Sequence, residues 1–418
     1  MPGTNNIDAL IRQAVFETDA SQKTKLLQTI RQTALDNGVY PASIQSLYEA
    51  AGKGHFSGIT VPAINIRMIA YDAARAVFRA ALKDDVGALI FEIARSEIGY
   101  TDQRPAEYVA CVMAAAVKEG FRGPVFIQGD HFQVNRTKYQ DNPEAELNTI
   151  KELIKESIAA GFYNIDIDAS TVVDISKTDL TEQQEKNSQI TAEMTRFIRS
   201  IEPKDVTVSV GGEIGEIGKG NSTVEDLRAF MDGYLQQLPK GTKGISKISV
   251  QTGTTHGGVV LPDGSIAKVK IDFNTLKDLS KLARDEYGLG GAVQHGASTL
   301  PDEAFDMFPR MNALEVHLAT GFQNIVYDSP RFPGDLLQRI YRHLNDHNIK
   351  EKKEGQTEEQ FLYSTRKKAL GPFKKEMWNL PEADLQAIMA ELEKRFTLMF
   401  RKLNVLNTVK LVQKYYSK

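Results

Sequence analysis

The chain has 418 residues, and its 51 Lys and Arg nearly balance its 54 Asp and Glu, which gives a formal net charge of −3. Proteins that bind nucleic acid through their own surface usually carry an excess of Lys and Arg, so this composition argues against a nucleic-acid partner. The most apolar run, Tyr108 to Val117, is too short to cross a membrane, and no basic-then-apolar signal segment opens the sequence. We therefore expect a soluble protein with no membrane partner.

Cysteine usage indicates the compartment. The single cysteine, Cys111, cannot form an intramolecular disulfide, which fits the reducing cytoplasm. It lies in the apolar segment VACVMAAAV, and this setting favours a buried helix residue over a nucleophile. We expect a cytoplasmic protein.

The first 45 or so residues are charged, with a helical pattern and no predicted strand. We expect them to form an extra layer or an oligomer contact. The length of the whole chain permits either two or three domains or one α/β barrel with additions, so the order of the later elements must decide.

Beyond this extension, short β-branched apolar runs alternate with longer helical patterns. One helical segment, Glu144 to Ala160, repeats apolar residues every three or four positions, and Ser222 with Glu225 has the spacing of a capping box. The predicted strands are Ile59–Ile66, Ala88–Ala94, Pro124–Asp130, Asn164–Ser170, Thr207–Gly215, Lys247–Thr254, Ala292–Ser298 and Ala313–Thr320.

This alternation predicts parallel strands closed into a TIM (β/α)8 barrel, because each parallel pair needs a crossover helix. We predict a helical N-terminal extension (1–45), the barrel (46–345) and a helical C-terminal tail (346–418).

Polar residues cluster at the predicted strand ends, where TIM barrels build their active sites. Four of the seven histidines lie there, far more than random placement gives. A single such histidine is usually a hydrogen-bonded core residue, but several at one barrel mouth favour a metal site with an open coordination position. The strand-end residues are Asp130, His131, Glu213, His256, His295, His317 and Thr320.

Two carboxylates accompany these histidines. Asp130 and Glu213 could hold a ligand histidine in one tautomer or transfer a proton. No lysine lies in the C-terminal half of a predicted strand, since Lys247 begins its strand and Lys219 follows one. The sequence therefore favours a metal over imine chemistry.

Small residues beside the histidines point to a phosphate site. They expose backbone N–H groups near strands seven and eight, where this fold often binds phosphate, and two hydroxyls can add donors. The alternative is that the glycines serve only tight turns. The residues are Gly257, Gly258, Gly296, Ser298 and Thr320.

Taken in order, these motifs resemble the class II, metal-dependent ketose-bisphosphate aldolases, which include fructose-1,6-bisphosphate aldolase. The resemblance extends from about Ser43 nearly to the C-terminus, including the tail TRKKALGP that begins at Thr365. The matching segments are VPAINI from Val61, Asp130-His131, IDAS from Ile167, EKN from Glu185, EIG from Glu213, GTTHG from Gly253, IDF from Ile271, HGAS from His295 and, more loosely, Thr320.

The resemblance implies that His131, His256 and His295 bind a divalent metal, most often Zn²⁺, with Glu213 supporting the metal region. It implies that Asp130 handles the proton on the hydroxyl of the bond being cleaved. It further implies substrate and phosphate contacts, a monovalent cation nearby, and a homo-oligomer of two or more subunits. The predicted substrate and phosphate contacts are Asn65, Gly257, Gly258, Gly296, Ser298, Thr320 and, in the place of the family's own residue, His317.

Three departures from the family pattern put the substrate in question. His317 and Ala319 occupy the places of an Asn and an Asp that face substrate, and Ala94 replaces a small hydroxyl residue. The loop after strand five lacks the family's run of acidic residues, and Glu216 is the nearest candidate there for the acid that abstracts the substrate proton. His317 could be a hydrogen-bonded replacement for Asn, or it could contact an anionic group of the substrate.

The leading hypothesis is a zinc-dependent class II aldolase that cleaves a phosphorylated ketose, fructose 1,6-bisphosphate first, to dihydroxyacetone phosphate and an aldehyde. The alternatives are an aldolase for another ketose phosphate, such as tagatose 1,6-bisphosphate or a modified sugar phosphate, and a non-catalytic aldolase-like subunit.

Overall fold

The computed structural model describes residues 6–215, 220–254, 261, 267 and 271–416. Its strands are β1 (Val39–Ala42), β2 (Val61–Asn65), β3 (Ile90–Ala94), β4 (Gly123–Gln133), β5 (Asn164–Asp168), β6 (Ser209–Gly215), β7 (Lys247–Val250), β8 (Ala292–Gln294) and β9 (Glu315–Leu318).

Helices connect and surround these strands, with short 3₁₀ turns at 170–172, 302–304, 349–351 and 366–369. The helices are α1 (Ile7–Phe16), α2 (Ala20–Asp36), α3 (Gln45–Gly52), α4 (Ala70–Lys83), α5 (Arg95–Tyr100), α6 (Pro105–Glu119), α7 (Arg136–Asp141), α8 (Pro143–Ala160), α9 (Leu180–Ile201), α10 (Val224–Gln236), α11 (Phe273–Asp285), α12 (Met307–Arg310), α13 (Thr320–Asp328), α14 (Gly334–Asn348), α15 (Glu358–Thr365), α16 (Lys374–Trp378), α17 (Glu382–Lys402) and α18 (Val409–Tyr415).

Strands β2 to β9 form the predicted closed barrel. Each pairs in parallel with the next in chain order, and β9 returns to pair with β2. Every predicted strand is present, which confirms the fold class. Several ladders end before the predicted boundary, for example at Asp168 and Val250, because the polar residues beyond them turn into loops at the barrel mouth.

The N-terminal extension contains β1, and the expectation of no strand there was wrong. Residues 39–42 pair with the first half of β4, from Gly123 to Phe126, while β5 pairs with β4 from Gln128 onward. Asn164 joins the two neighbours: its side chain accepts from the Ile44 amide at 2.8 Å and donates to the carbonyl of Ala42 at 3.1 Å. The extension therefore completes the barrel wall.

Small side chains let the outer helices pack closely. Helix α6 begins at Pro105 and ends at Glu119, and the left-handed conformation of Gly120 caps it. Its alanines are buried against α4, and Cys111 is buried in the same helix, as expected. Helix α10 is capped by Thr223 with Asp226, one residue later than the predicted capping box.

The lower interior of the barrel holds a buried ionic cluster where TIM barrels usually place branched apolar residues. Lys247 Nζ lies 2.5 Å from Glu315 Oε1, 3.0 Å from Asp166 Oδ2 and 2.7 Å from Gln128 Oε1. A Cβ at position 211 would clash with Asp166 Oδ1, so Gly211 leaves the room this cluster needs. We call Asp166, Lys247 and Glu315 the barrel floor.

No helix in the described ranges is long and apolar enough to span a membrane.

Candidate metal centre and substrate cavity

A bulge in β4 brings Asp130 and His131 to the same cavity. Consecutive strand residues normally point to opposite faces, but the register of β4 against β5 shifts between Gly129 and Phe132. His131 adopts a positive φ of 40°, which a residue with a side chain rarely does. Both side chains line the cavity.

Two carboxylates contact Nδ1 of His131, the ring nitrogen that points away from His295. Its Nδ1 lies 3.0 Å from Asp168 Oδ2 and 3.0 Å from Glu213 Oε2. Burial alone would lower the pKa of His131, but the charges of Asp130 and Glu213 and the bond to Asp168 raise it well above its usual value. The pocket therefore stabilises a positive charge at this imidazole.

His295 completes a facing pair of imidazoles. Its Nδ1 lies 2.5 Å from Nε2 of His131, while its Nε2 is 2.9 Å from Ser249 Oγ. When each ring places its proton on the outer nitrogen, toward Asp168 or Ser249, both inner nitrogens carry lone pairs. Two facing lone pairs repel each other unless a proton or a metal ion lies between them.

These contacts fit a divalent metal. Ligand histidines typically donate their second N–H to a carboxylate, carbonyl or hydroxyl, which fixes the tautomer, and His131 and His295 both have such a partner. The side-chain donors of His131, Glu213 and His295 lie within 4.8 Å of one another. Imidazole and carboxylate suit Zn²⁺ and several other transition metals.

Glu213 has the environment of a group that changes its protonation easily. Burial and then the neighbouring Asp168 charge raise its pKa to about 7, against the opposing effect of His131. The pKa of Asp168 is lowered, because the bonds and charge of His131 and bonds from Ser170 and Gln133 outweigh burial. Asp168 is thus the fixed carboxylate of the pair and Glu213 the adjustable one.

His317 lines the cavity, and carboxylates contact both of its ring nitrogens. Its Nδ1 is 3.1 Å from Asp130 Oδ1 and from Glu92 Oε2, and its Nε2 is 2.6 Å from Glu315 Oε1. Its ring stacks on His295 at 4.0 Å. Both nitrogens are therefore occupied, and the geometry favours the hydrogen-bonded role over contact with a substrate anion.

The cavity above these residues has a volume of about 560 Å³, enough for a sugar phosphate. Besides the imidazoles, its wall includes Gly296, Ser298 and Thr320 as predicted. Gly296 has φ of 67°, which favours glycine, and Ser298 Oγ accepts from the Ala319 amide at 2.6 Å. Among the described residues Ser298 Oγ donates no hydrogen bond, so its proton can be donated to a substrate oxygen.

The wall beside β2 is built around a buried carboxylate. Glu97 accepts from Arg67 Nε at 2.6 Å and from Asn65 Nδ2 at 2.5 Å, and Arg67 Nη1 reaches Thr320 Oγ1 at 3.2 Å. Arg67 and Thr320 line the cavity, but Asn65 lies one layer behind it. The structure thus gives Asn65 a positioning contact with Glu97.

Four predicted site residues lie outside the described residues: Glu216, His256, Gly257 and Gly258. Their roles stay predictions. Within the described chain, Asp130, His131, Glu213, His295 and His317 form one continuous polar cluster.

Several residues of the site were not predicted from the sequence. Arg67 follows β2, and a search of strand ends for cations as well as histidines would have found it. Lys367 also lines the cavity, so the absence of strand lysines did not exclude a half-buried lysine there. Asp168 and Ser249 contact the histidines only because neighbouring strands align, which the sequence does not show.

The fold and the cluster together define a TIM barrel with a candidate metal centre of histidines and carboxylates at its mouth. A model of the family described as fructose-bisphosphate aldolase class-II matches residues 42–389. This chain belongs to that family.

The similarity to individual proteins covers either a short segment or a long one at low sequence identity. A 73-residue segment is 40% identical to the D-tagatose-1,6-bisphosphate aldolase subunit GatZ of Escherichia coli K12, a match that spans 17% of this chain and 17% of that protein. Fructose-bisphosphate aldolase of Campylobacter jejuni superposes with TM-score 0.52 at 17% identity, covering 88% of this chain and 98% of that one. The fructuronate-tagaturonate epimerase UxaE of Cohnella laeviribosi gives 0.64 at 11% identity, covering 91% and 85%.

Proposed function

We propose that this protein is a metal-dependent aldolase that reversibly cleaves a phosphorylated ketose to dihydroxyacetone phosphate and an aldehyde. The observation that carries the proposal is the facing pair of His131 Nε2 and His295 Nδ1, each ring anchored from behind and Asp130 beside them. His256 is the proposed third ligand. Zn²⁺ is the proposed ion, and a monovalent cation near the phosphate cradle is an additional proposal.

A divalent cation at the facing nitrogens would stabilise negative charge developing on the carbonyl oxygen of the substrate. Asp130 accepts the proton of the hydroxyl on the carbon beyond the breaking bond, as the electron pair of that carbon-carbon bond moves toward the carbonyl. In condensation it returns the proton. His317 holds Asp130 in place through its Nδ1 contact at 3.1 Å.

Proton exchange on the dihydroxyacetone side needs a second acid, and Glu216 is the proposed group. Gly257, Gly258, Gly296 and Ser298 are the proposed phosphate cradle, of which the described Gly296 and Ser298 lie on the cavity wall.

Fructose 1,6-bisphosphate is the first candidate substrate. Tagatose 1,6-bisphosphate is the second, and the printed name of the 40% identical relative favours testing it. A non-catalytic subunit would have no use for two anchored imidazoles with inner lone pairs, so their arrangement supports an enzyme. Cytoplasmic location and a homo-oligomer stay predictions.

The test is metal analysis of the purified protein together with an assay of dihydroxyacetone phosphate release from a panel of ketose mono- and bisphosphates. We expect bound divalent metal, cleavage that EDTA abolishes and added Zn²⁺ restores, and loss of both properties in His131→Ala and His295→Ala. His347→Ala, on an exposed stretch of α14, is the matched control. The proposal would be wrong if the purified protein held no divalent metal and cleaved no member of the panel in an EDTA-sensitive way.

A further inference from the structure

Two side chains of one strand join the barrel floor to the cavity. Glu315 and His317 lie two residues apart on β9, so both point to the same side, into the barrel. His317 lines the cavity, whereas Glu315 lies below it and is sealed from solvent. A contact between these two side chains therefore connects the fold-stabilising ionic cluster to the site.

Glu315 is held in one position by its other contacts. Its Oε1 accepts from Lys247 Nζ at 2.5 Å and from Gln128 Nε2 at 2.9 Å, and the hydroxyl of Tyr48 donates to Oε2. Burial would raise the pKa of Glu315, but the charge of Lys247 and the bond to His317 lower it. Glu315 is therefore a fixed and ionised acceptor.

His317 contacts Glu315 and Asp130 at the same time. Its Nε2 is 2.6 Å from Glu315 Oε1, and its Nδ1 is 3.1 Å from Asp130 Oδ1. Nδ1 also lies 3.1 Å from Glu92 Oε2, so a small rotation of the ring would favour Glu92 over Asp130. Because the imidazole is rigid and planar, the contact of Nε2 with Glu315 fixes where Nδ1 lies.

We propose that Glu315 is a positioning residue for the reaction, because through His317 it holds the Asp130 carboxylate in the orientation that accepts the proton of the substrate hydroxyl. This assignment rests on the proposed aldolase function. Misplacing a reacting group by about 1 Å can slow a reaction roughly a hundredfold, so a fixed Asp130 matters to the rate. The aldolase resemblance places an asparagine at position 317, so the family pattern does not contain this link.

The test is steady-state kinetics of Glu315→Gln and His317→Asn on the ketose phosphate that the wild type cleaves best, with metal affinity measured by competition with a chromophoric chelator. We expect each variant to lower kcat about tenfold to a hundredfold, with KM and metal affinity within about threefold of the wild type. A residue that only supports the fold would not separate kcat from KM in this way. Glu315→Gln also loses its charge pair with Lys247, so activity is measured well below its unfolding midpoint.

The double variant shows whether Glu315 acts through His317. If it does, adding Glu315→Gln to His317→Asn should lower kcat by less than about threefold further, because the link is already broken. Glu202→Gln is the matched control, since Glu202 is a part-buried carboxylate that pairs with Arg199 at the end of α9, outside the barrel interior. It should keep the kcat and KM of the wild type.

Nuclear magnetic resonance of the histidine side chains tests the contact without relying on activity. The Nε2 proton of His317, bonded to an ionised carboxylate, should resonate far downfield and is assigned by its absence from His317→Asn. It should be lost from that position in Glu315→Gln and persist in Glu202→Gln.

Three results in an active enzyme would overturn the positioning role and leave the aldolase function standing: an unchanged kcat in Glu315→Gln, an equal loss in the control, or effects that multiply in the double variant. If Glu315→Gln does not fold, an unchanged kcat in His317→Asn overturns it as well. A wild type that shows the downfield proton but cleaves no ketose phosphate would instead remove the proposed function, and with it the role of the contact in catalysis.

Discussion

The cavity wall and the barrel floor are both rich in charge, but they differ in how that charge is satisfied. On the floor, Lys247 contacts two carboxylates and a glutamine amide and is sealed from solvent. On the wall, the imidazoles of His131 and His295 face each other, and Lys367 contacts no carboxylate of the described chain. Polar groups sealed among protein partners hold the fold, whereas polar groups that line a cavity are open to a ligand.

The two regions are linked through His317. It contacts Asp130 of the wall through one nitrogen and Glu315 of the floor through the other. Substitutions in the barrel floor should therefore reduce stability more than activity. Substitutions in the cavity wall should reduce activity more than stability.

Removing the floor cation should give the largest effect. Lys247→Met leaves the carboxylates of Asp166 and Glu315 buried without their counter-ion, and we expect a loss of about 3–5 kcal/mol in the free energy of unfolding. Denaturant unfolding measures it. The control is Lys281→Met, which breaks an exposed pair with Asp285 and should leave the midpoint unchanged. A loss no larger than that of the control would mean that the floor does not stabilise the fold.

The floor should also give a pH dependence. Burial raises the pKa of Asp166 to about 6, against the opposing charge of Lys247. The folded state therefore keeps a proton that the unfolded chain has released, so Asp166 reduces stability as the pH rises from about 4 to 6.

Relative to Asp166→Asn, the wild type should lose up to about 3 kcal/mol of unfolding free energy across that range. Unfolding curves at several pH values measure the difference, and Asp278→Asn on the exposed face of α11 should run parallel to the wild type. A constant difference between wild type and Asp166→Asn would contradict the raised pKa.

On the wall, Asp168→Asn should weaken metal binding about tenfold to a hundredfold, because the charged partner of His131 Nδ1 is lost while the ligands remain. Competition with a chromophoric chelator measures the affinity. Asp174→Asn, in the exposed loop before α9, is the control. Unchanged affinity would show that Asp168 does not support the metal site.

The smallest effect should come from Tyr48→Phe. The Tyr48 hydroxyl donates to Glu315, but Glu315 keeps its contacts with Lys247, Gln128 and His317. We expect a cost of about 1 kcal/mol in unfolding free energy and no change in metal content. A cost equal to that of Lys247→Met would mean that the tyrosine, and not the lysine, dominates the floor.

Sequence reasoning reached the barrel and part of its site because those features follow from periodic patterns. Alternating strand and helix signals gave the closed parallel sheet, and strand ends placed Asp130, His131 and His295 together. It missed the floor, because Lys247 looks like a surface residue at the start of a strand until the strands carrying Asp166 and Glu315 are brought beside it.

The protein partners of His317 and Asn65 could not be predicted from the sequence either, and the substrate contacts of these two residues stay predictions. His317 contacts Glu92 and Glu315, and Asn65 contacts Glu97. Glu92 lies on β3 and Glu97 on α5, so these contacts form only when the barrel closes. The β4 bulge is the clearest case: it lets neighbouring residues share one face, and no residue pattern predicted it.

The short strand β1 has a consequence for how this chain can be shortened. Its four residues cover the lower half of β4 before β5 takes over the upper half. A chain begun at residue 46 would expose that half of β4 as an open edge, able to pair with a strand of another molecule. The N-terminal extension thus covers a part of the barrel wall that would otherwise be open to pairing.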